Sequence, residues 1–414
     1  MSDHVPNPAG DPAAPVIPKI ISVDDHVVEP PHVWSTWLPE RFRDRGPKIE
    51  RRGIAGMRHV GGGAYEQVFD DDAPEQADCW VYEDLVYIHK RHVAAVGYER
   101  DEMTLTPMTY EEMRPGCYDP VARVADNELN HVAASLCFPT FPRFCGQTFT
   151  EAADHELGLA CVKAYNDWMV DEWCGGSGGR LIPLCLIPLW DPVEAAAEIR
   201  RNAARGVRAV TFSEIPPNLG LPSIHDRDGY WHPFFEACNE TGTVICMHIG
   251  SGSKMVTTSP DAPIAVASTL AFANASYALT DWLMSGLFTK FPDLTLALSE
   301  GQIGWIPYII ERADVVWEEN RGWNEIYETV TEPPSELYRR HFYGCFFRDR
   351  HGIDSLAKVG VDNTTFETDY PHTDSTWPQT KQVAEELMGD LPDDVVHKLV
   401  RGNAIRMLSL TSLS

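Results

Sequence analysis

The chain alternates short apolar segments with helical patterns, and this alternation constrains its fold more than any other feature. Eight segments have the apolar, β-branched composition of buried strands: residues 19–23, 133–139, 181–188, 207–213, 243–250, 294–301, 341–347 and 364–372. Helical patterns lie between them, for example residues 191–206, which begin with an Asp cap and end with Gly. Strands that alternate with helices form parallel sheets, and eight of them in 414 residues favour an α/β fold, the closed (β/α)8 TIM barrel, over an open sheet.

Two segments do not follow this pattern. Residues 1–18 are polar and rich in Pro and Ala, and we predict that they are a disordered N-terminal segment. Residues 41–116 are irregular and carry hairpin and loop signals. We interpret residues 41–116 as an insertion after strand 1 that covers one face of the barrel. The sequence therefore predicts one barrel domain over residues 19–414.

The charge and the cysteines exclude several classes of protein. Lys and Arg number 34 against 61 Asp and Glu, which gives a formal net charge of -27 and leaves no basic patch for nucleic acid or an anionic membrane. The longest apolar run, residues 181–190, is too short to cross a bilayer, and the N-terminus lacks the apolar core of a signal peptide. The ten cysteines include no CxxC pair. We expect a cytoplasmic enzyme that binds a small-molecule substrate and forms a homo-oligomer.

Acidic and imidazole side chains lie at the ends of the predicted apolar strands. Asp24 and His26 end the first strand, His248 the fifth, Glu300 the sixth and Asp369 the eighth. Catalytic groups of a barrel gather at the carboxyl ends of its strands, and side chains two apart on a strand point to the same side. This set suits a divalent metal, either zinc, manganese or iron, and the absence of Cys from every predicted strand end argues against a thiolate ligand.

Each of these residues also has a structural interpretation. A single His at a strand end is more often a hydrogen-bonded residue than a ligand, and Asp24 and Asp369 could cap turns. The whole set nevertheless favours a metal, because burying several carboxylates at one barrel mouth without a cation costs free energy. Other ligand-capable groups lie near the ends of the predicted strands: Glu29 after the first, Glu214 at the end of the fourth, and Glu367 and His372 at the eighth.

Several of these landmarks occur together in a known family. The chain from residue 20 onward resembles the second amidohydrolase family, the group around aminocarboxymuconate semialdehyde decarboxylase and the hydroxybenzoate decarboxylases. The resemblance lies in the D-x-H of strand 1, the His of strand 5, the TDYP of strand 8, the phrase LMSGLFTKFPDLTLALSEG and the terminal RGNAIRML. It implies that Asp24, His26, His248 and Asp369 bind one divalent metal. It also implies hydrolysis or decarboxylation of a small molecule that carries a carboxylate or carbonyl group.

Three further residues are candidates for the chemistry. Ser299-Glu300-Gly301 stands where the decarboxylases have Ser-His-Gly, so Glu300 replaces the proton-transfer His and is either a general acid and base or another metal ligand. His372 is a second candidate proton carrier. Arg143 is a candidate substrate clamp, because Arg binds carboxylates in a bidentate manner, although a salt bridge within this acidic chain explains it equally well.

The carboxylate-rich set leaves a second function open. Such ligands could hold two ions, and the pattern resembles a branch of the superfamily that includes a non-haem diiron monooxygenase of diterpenoid antibiotic biosynthesis. A paired iron centre would then hydroxylate an apolar, terpenoid-like substrate. Several tryptophans could line a large apolar pocket for it: Trp34, Trp37, Trp305, Trp317, Trp323 and Trp377. A third hypothesis, a non-catalytic binding protein, predicts no bound metal, and the complete ligand set argues against it.

Overall fold

Parallel strands form the centre of the molecule in a computed structural model that describes residues 16–61, 64–411 and 413. The strands are β1 (Ile20–Val27), β2 (Lys48–Gly61), β3 (Ala64–Phe69), β4 (Gln76–Tyr82), β5 (Leu85–Ile88), β6 (Val132–Pro139), β7 (Leu181–Ile182), β8 (Leu184–Cys185), β9 (Ala209–Thr211), β10 (Val244–His248), β11 (Leu296–Ser299), β12 (Phe342–Phe346) and β13 (Thr364–Phe366). One parallel sheet has the order β1-β6-β7 and a second has the order β13-β12-β11-β10-β9-β8. The prediction of an α/β fold with parallel strands is confirmed.

Helices connect the parallel strands. They are α1 (Val33–Trp37), α2 (Glu40–Arg43), α3 (Pro120–Leu129), α4 (Gln147–Thr150), α5 (His155–Trp168), α6 (Pro192–Ala203), α7 (His232–Thr241), α8 (Ile264–Thr269), α9 (Phe272–Leu283), α10 (Leu287–Lys290), α11 (Ile306–Glu319), α12 (Arg321–Asn324), α13 (Pro334–His341), α14 (Arg350–Asp354), α15 (Leu356–Val359), α16 (Thr380–Met388), α17 (Asp393–His397) and α18 (Asn403–Met407). The predicted helix start is observed in α6, where the Asp191 side chain accepts hydrogen bonds from the first turn. No helix in the described ranges is long and apolar enough to cross a membrane.

The parallel register brings the carboxyl ends of the strands together. His248, the last residue of β10, lies opposite Ser299, the last residue of β11. Hydrogen bonds also join the chain after β13 to β1: the Asp369 amide donates to the Asp24 carbonyl at 3.0 Å, and the His26 amide donates to the Tyr370 carbonyl at 2.6 Å. Segments far apart in sequence therefore meet at one edge.

The observed strands differ from the predicted bounds, and three of them differ most. The first continues to Val27, so Asp24 and His26 lie on β1 itself, next to a register shift between Ser22 and Asp25. The third is divided at Pro183, which has no amide hydrogen for a strand ladder. The eighth ends at Phe366, and it cannot extend to residue 372 as predicted because Asp369 has a left-handed backbone that no extended strand accommodates.

The chain between β1 and β6 contains a second kind of sheet. Its four strands are antiparallel, in the order β3-β2-β4-β5. This segment contacts the loop after β13, where the Ala95 amide donates to the Pro371 carbonyl at 2.7 Å and the Thr373 amide donates to the His92 carbonyl at 3.2 Å. This segment therefore lies beside the residues that follow β13.

The core explains the composition of the strands and the cysteines. β1 and β10 are buried along their whole length. All ten cysteines are free and buried, as expected for reduced thiols in a packed interior. Residues 1–15 of the predicted N-terminal segment lie outside the described residues, whereas Ile17 is buried and its carbonyl lies 3.0 Å from the His131 ring.

Candidate metal centre

The five predicted metal ligands come together at the carboxyl ends of the strands. The Nε2 atom of His248 lies 3.2 Å from the Nε2 atom of His26, 3.5 Å from an Asp24 oxygen and 3.1 Å from a Glu300 oxygen. The Nε2 atom of His26 lies 3.3 Å from an Asp369 oxygen and 3.6 Å from Asp24. These five side chains, called the cluster below, form a compact set of nitrogen and oxygen donors.

Both histidines of the cluster have the protonation state that a ligand needs. The Nδ1 atom of His248 lies 2.6 Å from the Ile249 carbonyl, so Nδ1 carries the hydrogen and Nε2 offers its lone pair to the cluster. Burial lowers the pKa of His248 to about 3, and burial with the neighbouring His372 lowers the pKa of His26 well below its ordinary value. The two imidazoles are therefore neutral at neutral pH.

The carboxylates of the cluster repel one another. Burial, followed by the charge of neighbouring carboxylates, raises the pKa of Asp24, Glu300 and Asp369 well above their ordinary values. In the described part of the chain, neither oxygen of Asp24 or of Asp369 makes a hydrogen bond. Buried carboxylates without donors cost free energy, and a divalent cation removes that cost by supplying positive charge and oxygen coordination. The donor set therefore fits a divalent metal.

Two residues of the cluster have unfavourable backbone conformations. Glu300 has a φ of 58° and Asp369 a φ of 50°, the left-handed region that side chains other than Gly rarely adopt. The Glu300 amide is held by the Glu367 carboxylate at 3.1 Å, and the Asp369 amide is held by the Asp24 carbonyl. Strained residues of this kind concentrate at functional sites, where the surrounding structure fixes them.

Asp25 and Arg123 support the cluster, and the sequence interpretation missed both roles. Asp25 is buried and accepts hydrogen bonds from the hydroxyls of Ser22 and Thr368 at 2.9 and 2.6 Å. Arg123 is fully buried and donates to the His26 carbonyl at 2.5 Å. A buried Arg in the middle of a helical pattern has no sequence signal that distinguishes it from a surface Arg.

A cysteine lies beside the cluster, although none stands at a predicted strand end. The Cys345 thiol on β12 contacts the Glu367 carboxylate at 2.5 Å, and these two groups lie within 4.8 Å of an Asp24 oxygen. Burial raises the pKa of Glu367 to about 7. The sequence interpretation considered strand ends and so missed Cys345, which lies one residue inside the strand and reaches the inner face through the strand register.

His372 lies against the cluster. Its ring stacks on the His26 ring with centroids 3.6 Å apart, and its Nδ1 atom lies 3.2 Å from an Asp369 oxygen. Burial lowers the pKa of His372 to about 4, and its Nε2 atom makes no hydrogen bond to the described residues. The structure thus places this predicted proton carrier within reach of the ligand set.

Arg143 and Glu214 form their salt bridge and hydrogen bonds outside the cluster. The Arg143 guanidinium forms a salt bridge with Glu151 at 3.1 Å and also contacts the Ser253 hydroxyl. One oxygen of Glu214 accepts hydrogen bonds from the Gly250 amide at 2.9 Å and from the Asn274 side chain at 2.7 Å. Arg143 still lines a pocket of about 190 Å³ together with His372, whereas Glu214 fixes the loop after His248.

A larger cavity adjoins the cluster. Its volume is about 880 Å³, which is within the range of small-molecule sites. Glu300 and Trp305 line it, and Trp305 is one of the tryptophans predicted to face a substrate pocket. Phe144 also lines it and lies against the His248 ring, with centroids 4.1 Å apart. Glu300 is therefore the member of the cluster that faces this cavity.

Comparisons with known proteins agree with the arrangement. A sequence model of a family described as Amidohydrolase matches residues 26–410. No curated protein sequence matches the chain at a significant level. Solved structures are similar over nearly the whole length of both chains. An amidohydrolase from Mycobacterium avium subsp. paratuberculosis is 20% identical, with a TM-score of 0.66 and coverage of 95% of this chain and 99% of the other.

Two decarboxylase structures are also similar. 5-Carboxyvanillate decarboxylase from Novosphingobium aromaticivorans, solved with manganese and 4-hydroxy-3-methoxy-5-nitrobenzoic acid, is 14% identical, with a TM-score of 0.61 and coverage of 94% and 96%. Dihydroxybenzoic acid decarboxylase from Polaromonas, solved with manganese and 2-nitroresorcinol, is 15% identical, with a TM-score of 0.59 and coverage of 95% and 97%. At these identities the likeness shows a shared fold, and the family match extends over most of the sequence. The chain therefore belongs to the amidohydrolase family.

Proposed function

We propose that this chain is a metal-dependent enzyme that hydrolyses or decarboxylates a small molecule carrying a carboxylate or carbonyl group, at the mouth of a closed (β/α)8 barrel. The observation that carries the proposal is the cluster, in which buried carboxylate oxygens without hydrogen bonds surround two neutral histidines. The hydrogen bonds between the chain after β13 and β1 support closure of the barrel. Manganese in two decarboxylases of similar fold supports a divalent ion.

Asp24, His26, His248 and Asp369 would hold the ion, and Glu300 lies beside them as either a further ligand or a proton carrier. A bound divalent ion would supply a Lewis acid that polarises a substrate oxygen or lowers the pKa of water. The ion pairs of Asp24, Asp369 and Glu300 within the described residues are with histidines, so no Lys or Arg already neutralises this charge.

Glu300 and His372 are the residues placed to move protons. Glu300 borders both the cluster and the large cavity, so its carboxyl group can reach a substrate bound there. His372 has a free Nε2 atom and borders the smaller pocket. Proton transfer by one positioned side chain contributes roughly 100- to 10,000-fold to a rate. We assign the two residues this role because they combine contact with the ligand set and access to a pocket.

The paired-iron alternative has one specific observation in its favour. Glu367 and Cys345 form a second group of potential ligands with Asp24, adjacent to the first. The mononuclear assignment is preferred, because the Glu367 Oε2 atom already accepts hydrogen bonds from the Glu300 amide and the Cys345 thiol. Only its Oε1 atom lacks a partner among the described residues, so this second group offers fewer free donor atoms than the cluster. The number and identity of bound ions separate the two functions.

Elemental analysis of the purified protein tests the proposal. About one manganese or zinc per chain, retained in Glu300→Ala and lost in Asp369→Ala, supports the hydrolase or decarboxylase with Glu300 as a proton carrier. About two irons per chain, falling in Glu300→Ala, would support the monooxygenase instead. Glu214→Gln is the matched control, since this buried carboxylate lies outside the cluster and should leave the metal content unchanged. A protein that binds no divalent metal would contradict both functions.

A further inference from the structure

The large cavity has mainly apolar walls and one strong cation. Aromatic and aliphatic side chains form much of its surface, namely Phe144, Ile249, Met255, Phe272, Trp305 and Phe347. Arg348 is the only Lys or Arg among its lining residues in the part of the chain that the structure describes. Cavities of this kind bind an apolar molecular body and orient it through a few polar groups. Arg348 therefore helps to determine which molecules the cavity binds.

Arg348 forms no ion pair with an acidic side chain in the part of the chain that the structure describes. Its guanidinium donates one long hydrogen bond, 3.5 Å, to the Asp374 backbone carbonyl, and no carboxylate lies within 4 Å of it among the described residues. Burial and the like charge of Arg100 lower the pKa of Arg348, whereas Asp374 and Glu386 act in the opposite direction. Arg100 is therefore a second cation near this part of the cavity, and Asp374, which also lines the cavity, offsets part of the positive charge. The guanidinium is thus free to bind an anion.

Two acids line the cavity near Arg348, and neither forms an ion pair with it among the described residues: Asp374 acts only through its charge, and Asp349 is hydrogen-bonded to backbone amides. Asp349 lines the same cavity, but its carboxylate accepts hydrogen bonds from the amides of Ile303, Gly304 and Gly352 at 2.9, 2.6 and 2.7 Å. These amides hold Asp349 as the cap of α14. Arg348 differs in this respect from Arg143, whose guanidinium already pairs with Glu151.

We propose that Arg348 binds an anionic group of the substrate that lies apart from the group held at the cluster, so that the substrate is an acid with an apolar, ring-sized body. The proposal rests on the proposed function, because that function places the reacting end of the substrate beside Glu300. The planar guanidinium group of Arg pairs with a carboxylate through two parallel hydrogen bonds, which suits an anion at the edge of an apolar cavity.

Two known aromatic molecules serve as probes in calorimetric titrations of the manganese-loaded protein. 4-Hydroxy-3-methoxy-5-nitrobenzoic acid carries a carboxylate, and 2-nitroresorcinol is a nitrophenol without one. We expect Arg348→Gln to weaken binding of the acid roughly 10- to 100-fold, the range for a charge-assisted hydrogen bond, and to change binding of 2-nitroresorcinol by less than about twofold. Arg348→Lys keeps the positive charge but cannot make two parallel hydrogen bonds, so it should retain part of the affinity for the acid.

Two matched variants complete the experiment. Arg350→Gln removes an exposed Arg that pairs with Asp354 on the same segment, and Arg143→Gln removes the alternative clamp. Neither should weaken binding of the acid as Arg348→Gln does. Unchanged binding of the acid in Arg348→Gln, an equal loss for both probes, or a wild-type protein that binds neither probe would overturn the proposal. Loss of the proposed function is read separately, from the manganese content of the same samples.

Discussion

Replacing Glu367 with Gln should stabilise the metal-free protein at neutral pH. Glu367 is fully buried, and burial raises its pKa from 4.5 to about 7. A group whose folded pKa is raised contributes no penalty below pH 4.5 and destabilises the fold progressively as the pH rises through about 7. Gln has the same shape, stays neutral, and keeps an oxygen that can accept from the Glu300 amide and the Cys345 thiol.

The size of the effect follows from the pKa values. The difference between 4.5 and about 7 corresponds to about 3 kcal/mol at pH 8. An unfolding entropy of about 2.1 cal/mol/K per residue gives about 0.9 kcal/mol/K for the chain, so Tm should rise by about 3 to 4 °C. The increase in Tm of Glu367→Gln over the wild type should fall towards zero as the pH is lowered to 4.5.

Thermal unfolding of EDTA-treated protein between pH 4.5 and 8 measures this difference. Glu236→Gln is the control, because Glu236 is exposed on α7 and its replacement should change stability by less than about 0.5 kcal/mol at any pH. A lower Tm for Glu367→Gln at pH 8, or a gain that does not depend on pH, would refute the reasoning. The first result would mean that Glu367 is ionised and satisfied without a metal.

Three further predictions follow from the structure. Manganese at about 100 times its Kd should raise Tm of the wild type by about 3 °C, from a binding contribution of about 2.7 kcal/mol, and Asp369→Ala should remove this increase in thermal unfolding. Arg123→Met should destabilise the protein by about 2 to 6 kcal/mol in urea unfolding, because it leaves the buried carbonyls of Gly116 and His26 without their donor; a loss under about 1 kcal/mol would contradict the supporting role. The ten buried thiols should react slowly with a thiol reagent until the protein unfolds, and fast reaction of Cys345 in the native protein would show that the cluster is open to solvent.

The family assignment and much of the cluster were predictable from the sequence. The resemblance to the amidohydrolase family is confirmed by the match over residues 26–410. Asp24, His26, His248, Glu300 and Asp369 were identified because each lies at or just beyond the end of an apolar segment, and the structure brings all five together. Their roles as ligands and proton carriers remain predictions that the metal analysis tests.

Other contacts had no local signal. Arg143 was a candidate clamp from its residue type alone, yet its pairing with Glu151 depends on how the loop after β6 folds back. Cys345 was overlooked because the distance from a strand end says nothing about which inner-face neighbours a residue meets. Arg348 was not singled out, because an unpaired cation in a cavity cannot be recognised before the cavity is formed.

The sequence by itself determined the parallel α/β organisation and the residues at the strand ends, since hydrophobic periodicity, helix caps and breaks are local properties of the chain. Only the tertiary structure decided which of those residues share a site. The stacking of His372 on His26, the approach of Glu367 to Asp24 and the burial of Arg123 join positions about 100 to 350 residues apart. Such contacts depend on strand register and packing, which bring distant segments together and set the charge and solvent access of each group.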